Sequence, residues 1–268
     1  MIHLLRQLGD AGVRYLLISG QATVVYGAAE FTEDIDLWVD PAPQNLEPFL
    51  RALARMNATV GRLTPPVTEE NARFGHGFHF VVPEPEGLTW QVDIMGQPPR
   101  VGSFRTALER SLPELRAIPQ CRVIDPLSLV QLKKTCRERD YPIIAALIER
   151  VVEGWARGGE WTLERIRWVL DEARSLHALR ALSEQVDLAH HPGETSRLCV
   201  KALWDPLLEK RPPSESEFES FQAALDAERR DLQRADREYW TRITASLREL
   251  RQQGRLLPEG VSVSELLR

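Results

Sequence analysis

The chain has 268 residues, of which 43% are hydrophobic and 27% are charged, and its formal net charge is −5. This is the composition of an ordinary globular protein with a sizeable core, and the negative charge argues against a generally basic nucleic-acid binder. The three cysteines are odd in number and widely spaced, so they support neither a disulfide framework nor a CxxC metal site. We therefore expect a cytoplasmic protein with no signal peptide and no membrane span.

Helices and strands alternate in the first part of the chain. Residues 2–10 predict a short helix, and the apolar run 13–19 predicts a buried strand that ends at a glycine. A helix over 21–26 then leads to a second strand in "DIDLWVD", residues 34–40. Apolar residues at helical spacing predict another helix over 45–56. The predicted order is α-β-α-β-α.

Two further strands predict a hairpin. The stretches "FHFVV" (78–82) and "LTWQVDIM" (88–95) flank the turn "PEPEG" at 83–87. Apolar and polar residues alternate in the second arm, so Asp93 lies on the face opposite the tryptophan and the valine of that arm. The hairpin therefore adds an acidic residue to the polar face of a strand.

The remainder of the chain predicts mostly helix. A short strand at 121–124 precedes a helix that begins at Pro126, and another helix follows over about 141–153. Strand patterns then fade, and the last apolar stripe predicts a helix on the order of 50 Å long. We therefore expect an α+β fold: a small mixed sheet flanked by helices in a domain over 1–155, followed by an all-helical domain over 156–268.

Three acidic residues on strand faces indicate metal-dependent chemistry. Asp34 and Asp36 are two residues apart, so a strand puts both on one face, where like charges repel unless something positive lies nearby. With Asp93 they supply the hard oxygen ligands that suit two Mg²⁺ ions in nucleotidyl transfer, where the ions activate a hydroxyl and neutralise pyrophosphate. Ser19 and Gly20 follow a strand and precede a helix, where backbone amides can approach a triphosphate.

The stretch "ISGQATVVYGAAEFTEDIDLWV" resembles the signature of the DNA polymerase beta-type nucleotidyltransferase superfamily, in which a strand leads into Gly-Gly or Gly-Ser, then a helix, then D-[ILV]-D. The third acid of that superfamily lies on a later strand, as Asp93 does in "WQVDIM". More narrowly, the chain resembles the nucleotidyltransferases of the abortive-infection and type IV toxin–antitoxin group. Their L-x-x-x-K helix is matched by Leu129 to Lys133, and their R-x-[KR]-D turn by residues 137–140.

This resemblance covers about residues 1–150 and implies the transfer of an NMP from an NTP to a hydroxyl, with two Mg²⁺ ions or Mn²⁺ as cofactor. The implied acceptor is an RNA such as tRNA, or a protein, and a toxin of this group would have a cognate antitoxin as partner. The site residues that follow from the resemblance are the metal ligands Asp34, Asp36 and Asp93, with Asp93 also activating the hydroxyl, and the nucleotide contacts Ser19, Gly20, Gln21 and Lys133.

Two alternatives stay open: an antibiotic adenylyltransferase of the same superfamily, and an inactive nucleotidyltransferase-like binding module. Gln21 and Glu30 favour the second, because relatives have a small residue at the first position and often an arginine near the other. On the residues alone, Lys133 could equally be a surface lysine that covers apolar neighbours. His76 and His79 are better explained as loop or core residues than as a metal pair.

Overall fold

Helices and short strands alternate over the first half of the chain, and helices follow, as the sequence predicts. The computed structural model describes residues 1–84, 87–113, 115, 118, 121–159, 161–191 and 195–267. Two residues of the predicted hairpin turn, 85 and 86, lie outside the described residues. The fold is α+β: a mixed sheet flanked by helices, and a helical C-terminal region.

The strands are β1 (Tyr15–Leu17), β2 (Ile35–Val39), β3 (Thr59–Val60), β4 (Gly77–Pro83), β5 (Thr89–Met95) and β6 (Arg122–Val123). The helices are α1 (Ile2–Asp10), α2 (Ser19–Val25), α3 (Pro43–Arg55), α4 (Glu69–Phe74), α5 (Phe104–Arg110), α6 (Pro126–Lys133), α7 (Asp140–Gly158), α8 (Leu163–Glu172), α9 (Leu176–Gln185), α10 (Leu198–Ala202), α11 (Trp204–Leu208) and α12 (Glu215–Gln252). Short 3₁₀ turns occupy Leu188–His190 and Val263–Leu267.

Within the described residues, six strands form one sheet in the order β3-β4-β5-β2-β1-β6. β2 lies in its interior, antiparallel to β1 and parallel to β5, while β4 and β5 form the antiparallel hairpin. An interior strand covered on both faces is expected to be apolar along most of its length. Ile35, Leu37, Trp38 and Val39 are fully buried accordingly, and Asp36 is the polar exception.

One face of the β4–β5 hairpin packs into the hydrophobic core. Phe80 on β4 and Val92 on β5 are fully buried there, and Phe80 packs edge-on against Phe49 of α3 at 6.2 Å between ring centres. Burying side chains of this size contributes roughly 1.5–3 kcal/mol each. This apolar face therefore fixes which residues of β4 and β5 point the other way.

The chain forms two compact units, one made of Met1–Leu132 with Glu238–Arg268 and the other of Lys133–Arg237. The division differs from the predicted boundary between residues 155 and 156. In the second unit α7 packs against α8 and α9, so the helix that the sequence placed at the end of the first domain belongs to the helical unit.

The last residues of the chain cover the edge of β3 in the first unit. The Val60 N–H donates to the Val261 carbonyl at 2.8 Å, and the Gly260 N–H donates to the Val60 carbonyl at 2.8 Å. An exposed strand edge invites pairing with other chains, and a covering segment removes that hazard. The sequence predicted helix here, whereas the described residues after Gln252 are non-helical apart from one 3₁₀ turn.

The long predicted helix is α12, which begins in the second unit and ends in the first. At a rise of 1.5 Å per residue it is about 57 Å long. Its start is a capping box, because the Ser214 N–H donates to Glu217 Oε2 at 2.7 Å while the Glu217 N–H donates to Ser214 Oγ at 3.3 Å. None of the described helices combines the length and apolarity needed to cross a membrane.

The second unit contains charged pairs among its packed helices. Lys134 Nζ lies 2.7 Å from Glu172 Oε1, and Arg197 Nη2 lies 2.7 Å from Glu228 Oε2 on α12. Burial lowers the pKa of Lys134, while the carboxylate of Glu172 acts in the opposite direction. Such pairs are costly to break singly, because the remaining charge would stay buried without a partner.

His76 is buried between α4 and α12 within the first unit, with 1% of its surface exposed. Its Nε2 lies 3.1 Å from Ser246 Oγ, and its ring lies 5.1 Å from that of Phe74. Burial lowers the pKa of His76 below its ordinary value, because the charged imidazolium loses hydration. The sequence interpretation of His76 as a loop or core residue agrees with this position.

We predict that His76 makes the stability of the protein pH-dependent below neutrality. A histidine whose folded pKa is lowered takes up a proton on unfolding, so its contribution is complete above about pH 6.5 and declines as the pH falls below that value. In urea unfolding between pH 7 and 5, His76→Gln should flatten this decline. His3→Gln, at an exposed position on α1, is the control and should keep the wild-type slope; equal slopes in all three proteins would contradict the prediction.

Candidate functional site

The register between β2 and β5 places two of the three predicted acids side by side. The strands are parallel, and Asp36 is the residue directly opposite Asp93. The residues before and after each acid are buried, whereas both acids are only half-buried. Side chains alternate along a strand and neighbouring strands lie about 4.8 Å apart, so the two carboxylates are neighbours on the more open face of the sheet.

Asp93 has a separate contact at each of its carboxylate oxygens. His79, opposite Asp93 on β4, places Nδ1 2.7 Å from Oδ1. An ionised carboxylate can only accept a hydrogen bond, so Nδ1 carries the proton that is shared. Arg62 Nη2 lies 3.6 Å from Oδ2, and the arginine side chain is 69% exposed. A hydrogen-bond donor and a cation thus balance one of the two neighbouring acids.

The sequence interpretation of His79 as a loop or core residue missed this contact. The signal was present in the alternation of the hairpin, since His79 and Asp93 both lie on the faces opposite the apolar residues of their arms. Alternation alone does not give the register of the hairpin. That register pairs Pro83 with Thr89 and so brings His79 opposite Asp93. Arg62 follows β3, and no local pattern indicates which strand lies beside it.

The Ser19–Gly20 turn lies beside Asp36. The Ile18 N–H donates to the Asp36 carbonyl at 3.1 Å. Ser19 follows Ile18 in the chain, so the turn starts next to Asp36. Ser19 has a φ of 53°, in the left-handed region that non-glycine residues occupy at a cost of roughly 1–3 kcal/mol. A Cβ on Gly20 would lie 2.9 Å from Thr32 Cβ, so only glycine fits against the loop that leads to β2.

Asp34 precedes β2 at a bend, and its side chain is exposed. Its backbone carbonyl accepts a hydrogen bond from Gln21 Nε2 at 3.4 Å, and only 9% of the Gln21 surface is exposed. Gln21 stands where the resembled motif has a small residue. Its side chain therefore packs against the backbone at Asp34, just before β2. Glu30 is exposed in the loop between α2 and β2.

Lys133 belongs to the second unit, where it is buried. Its Nζ lies 3.2 Å from Asp140 Oδ1, and Thr135 Oγ1 donates to Asp140 Oδ2 at 2.5 Å. The lysine and aspartate of the two helix motifs are thus in contact with each other. The alternative of a surface lysine does not describe this position, and a phosphate contact would require Lys133 to share its ammonium group with Asp140.

The donor chemistry of Asp36 and Asp93 fits a hard divalent cation. Mg²⁺ in phosphate-transfer sites is bound by one or two carboxylates, with waters and substrate phosphates completing its coordination. Over the described ranges, however, no three or more His, Cys, Asp and Glu side chains are grouped as a metal site. The pair therefore fits one Mg²⁺ or Mn²⁺ held jointly with phosphate, and the predicted two-ion site would also require the side chain of Asp34 to join it.

No protein-family model matches the chain, and no curated protein matches it. The likeness to nucleotidyltransferases therefore depends on the quoted motifs and on where the structure places their residues.

We predict that Lys133 and Asp140 are energetically coupled. Lys133→Met should destabilise the protein by about 3 kcal/mol, because it leaves a carboxylate buried with Thr135 as its remaining side-chain partner. Combining it with Asp140→Asn should cost less than the sum of the single changes, with a coupling of about 1–3 kcal/mol in urea unfolding. Arg105→Gln removes a matched exposed pair with Glu109 and should change stability by less than about 0.5 kcal/mol. Additive single effects would show that Asp140 does not hold Lys133.

Proposed function

We propose that the protein is a divalent-metal-dependent nucleotidyltransferase that moves an NMP from an NTP to a hydroxyl. One observation supports this most strongly: strand pairing sets Asp36 and Asp93 side by side on the half-open face of the sheet. A divalent cation bound beside two neighbouring carboxylates stabilises their charged forms. Ser19 and Gly20, at the start of α2, directly follow Ile18, which bonds to the Asp36 carbonyl, and backbone amides in such a turn are suited to phosphate.

In this proposal Asp36 and Asp93 would hold Mg²⁺ or Mn²⁺, with Asp34 as a third ligand. The bound cation would supply charge neutralisation at the phosphates and polarise the acceptor hydroxyl. The Ser19–Gly20 amides would bind phosphate oxygens, and Gln21 supports the backbone of Asp34. Asp93 accepts the proton of the attacking hydroxyl as the hydroxyl oxygen bonds to the α-phosphorus. The bond from that phosphorus to the oxygen bridging to the β-phosphate breaks, and pyrophosphate leaves with the electron pair of that bond.

The acceptor class follows from the resemblance rather than from the geometry. A toxin-like enzyme would act in the cytoplasm on the hydroxyl of a tRNA or of a protein, under the control of a cognate antitoxin. The net charge of −5 favours a protein acceptor over RNA, because RNA binding is driven largely by phosphate contacts with basic groups. The alternative acceptor for the same transfer reaction is a small molecule of the size of an antibiotic.

We predict that the two neighbouring acids are required for NMP transfer. The protein is incubated with each α-labelled NTP, with Mg²⁺ or Mn²⁺ and with a cell extract, and the label is followed into RNA, protein and small molecules. Asp36→Asn and Asp93→Asn should each lower transfer at least about 100-fold, since a metal ligand contributes several kcal/mol to the transition state. Asp10→Asn, at an exposed position on α1, is the matched control and should transfer label at the wild-type rate.

Two outcomes would contradict the proposal. Full transfer by Asp36→Asn or by Asp93→Asn would show that the substituted acid is not required for the reaction. No transfer by the wild-type protein with any NTP or acceptor pool, despite nucleotide binding, would favour the inactive binding module, which the lack of a three-residue metal group in the described part of the chain also favours. Circular dichroism of each variant shows that a loss of transfer is not a loss of fold.

A further inference from the structure

We infer that His79 is a positioning residue for Asp93: it holds Oδ1 and so assigns Oδ2 to the cation and the acceptor hydroxyl. The inference rests on the proposed function and adds a residue that the sequence motifs do not include. The observation behind it is the 2.7 Å contact from His79 Nδ1 to Asp93 Oδ1 across the β4–β5 pair. At this length an N–H donor and a carboxylate form one of the stronger hydrogen bonds found in proteins.

The backbone of His79 is fixed independently of the ring. Its N–H donates to Thr64 Oγ1 at 3.1 Å, and its carbonyl accepts from the Gly61 N–H at 2.7 Å and from Thr64 Oγ1 at 3.2 Å. Thr64 is fully buried. β5 pairs with β4 over seven positions, so the sheet fixes the backbones of both His79 and Asp93. The short contact therefore restricts the side-chain rotamers of the two residues together.

The two oxygens of Asp93 are held unequally. The His79 and Asp93 side chains are each 24% exposed, and their contact is short. Arg62, at Oδ2, is 69% exposed and lies 3.6 Å away. Exposed ion pairs of that length contribute little, because solvent screens them and the long side chain loses rotamer freedom in forming them. A cation or the acceptor hydroxyl can therefore displace Arg62 from Oδ2, while His79 stays bonded to Oδ1.

A carboxylate beside another carboxylate needs such a restraint. Repulsion from Asp36, the residue paired with Asp93 on β2, favours rotamers that turn Asp93 away from it. The hydrogen bond from His79, which lies on the side of Asp93 opposite to Asp36, selects among those rotamers the one in which Oδ1 faces His79. Groups that orient a ligating carboxylate in this way typically affect metal affinity or activity by 10–100-fold when removed.

The test compares His79→Phe, which keeps a ring but removes the donor, with His79→Asn, whose amide restores an N–H donor near the position of Nδ1. The kcat and KM for the preferred NTP are measured, and the Mn²⁺ dissociation constant is measured without acceptor by electron paramagnetic resonance. His79→Phe should lower kcat and weaken Mn²⁺ binding by about 10–100-fold, with KM for the NTP close to wild type. His79→Asn should recover most of both losses.

Control and contrary outcomes separate this inference from the proposed function. His3→Phe, at an exposed position on α1, should match the wild type in both readouts. Wild-type values in His79→Phe, or equal losses in a folded His79→Asn, would overturn the positioning role. If the wild-type protein transfers no NMP, the proposed function fails, and the Mn²⁺ titrations of the same variants still decide the role of His79. If His79→Phe does not fold, His79→Leu takes its place.

Discussion

The parallel pairing of β2 with β5 sets Asp36 opposite Asp93, and the proposed cation site depends on that register. The residues that flank the two acids on their strands are buried. A slip of one position would turn every side chain of a strand to the opposite face, exposing apolar residues and burying a carboxylate. Core packing therefore keeps together two charges that would otherwise separate. The packing energy that maintains this register comes from the apolar face of the sheet, and the two acids lie on the more open face.

Most elements and the strand positions of Asp36 and Asp93 could be predicted from local patterns, whereas Asp34, predicted on the same strand face as Asp36, lies at a bend before β2. Helices follow from apolar spacing, and the alternation in the second arm of the hairpin puts Asp93 on the polar face. Strand order could not be predicted in this way, because it depends on contacts between residues far apart in the chain. The contacts of Asp93 with His79 and Arg62, and the return of the C-terminal residues to the edge of β3, all depend on that order. Periodicity also cannot show that Lys133 is paired with Asp140.

Gln21 and Glu30 depart from the nucleotidyltransferase motif that the chain resembles, and the structure shows where each residue lies. Gln21 is large where a small residue is usual, and its side chain is buried against the backbone of Asp34. Glu30 is exposed on the loop before β2, so the arginine that relatives often place there has no counterpart at that point. An arginine does lie at the acids, but it is Arg62, from the segment after β3.

The most direct test of the proposed site is a crystal structure with Mn²⁺ and a non-hydrolysable NTP analogue, with the metal located by its anomalous scattering. A metal peak within about 2.3 Å of carboxylate oxygens from both Asp36 and Asp93, with phosphate oxygens completing its coordination, is the result expected here. In that structure His79 should remain bonded to Oδ1 of Asp93, and Arg62 should have left Oδ2. A nucleotide bound elsewhere, or an analogue bound with no metal at these two acids, would contradict the account.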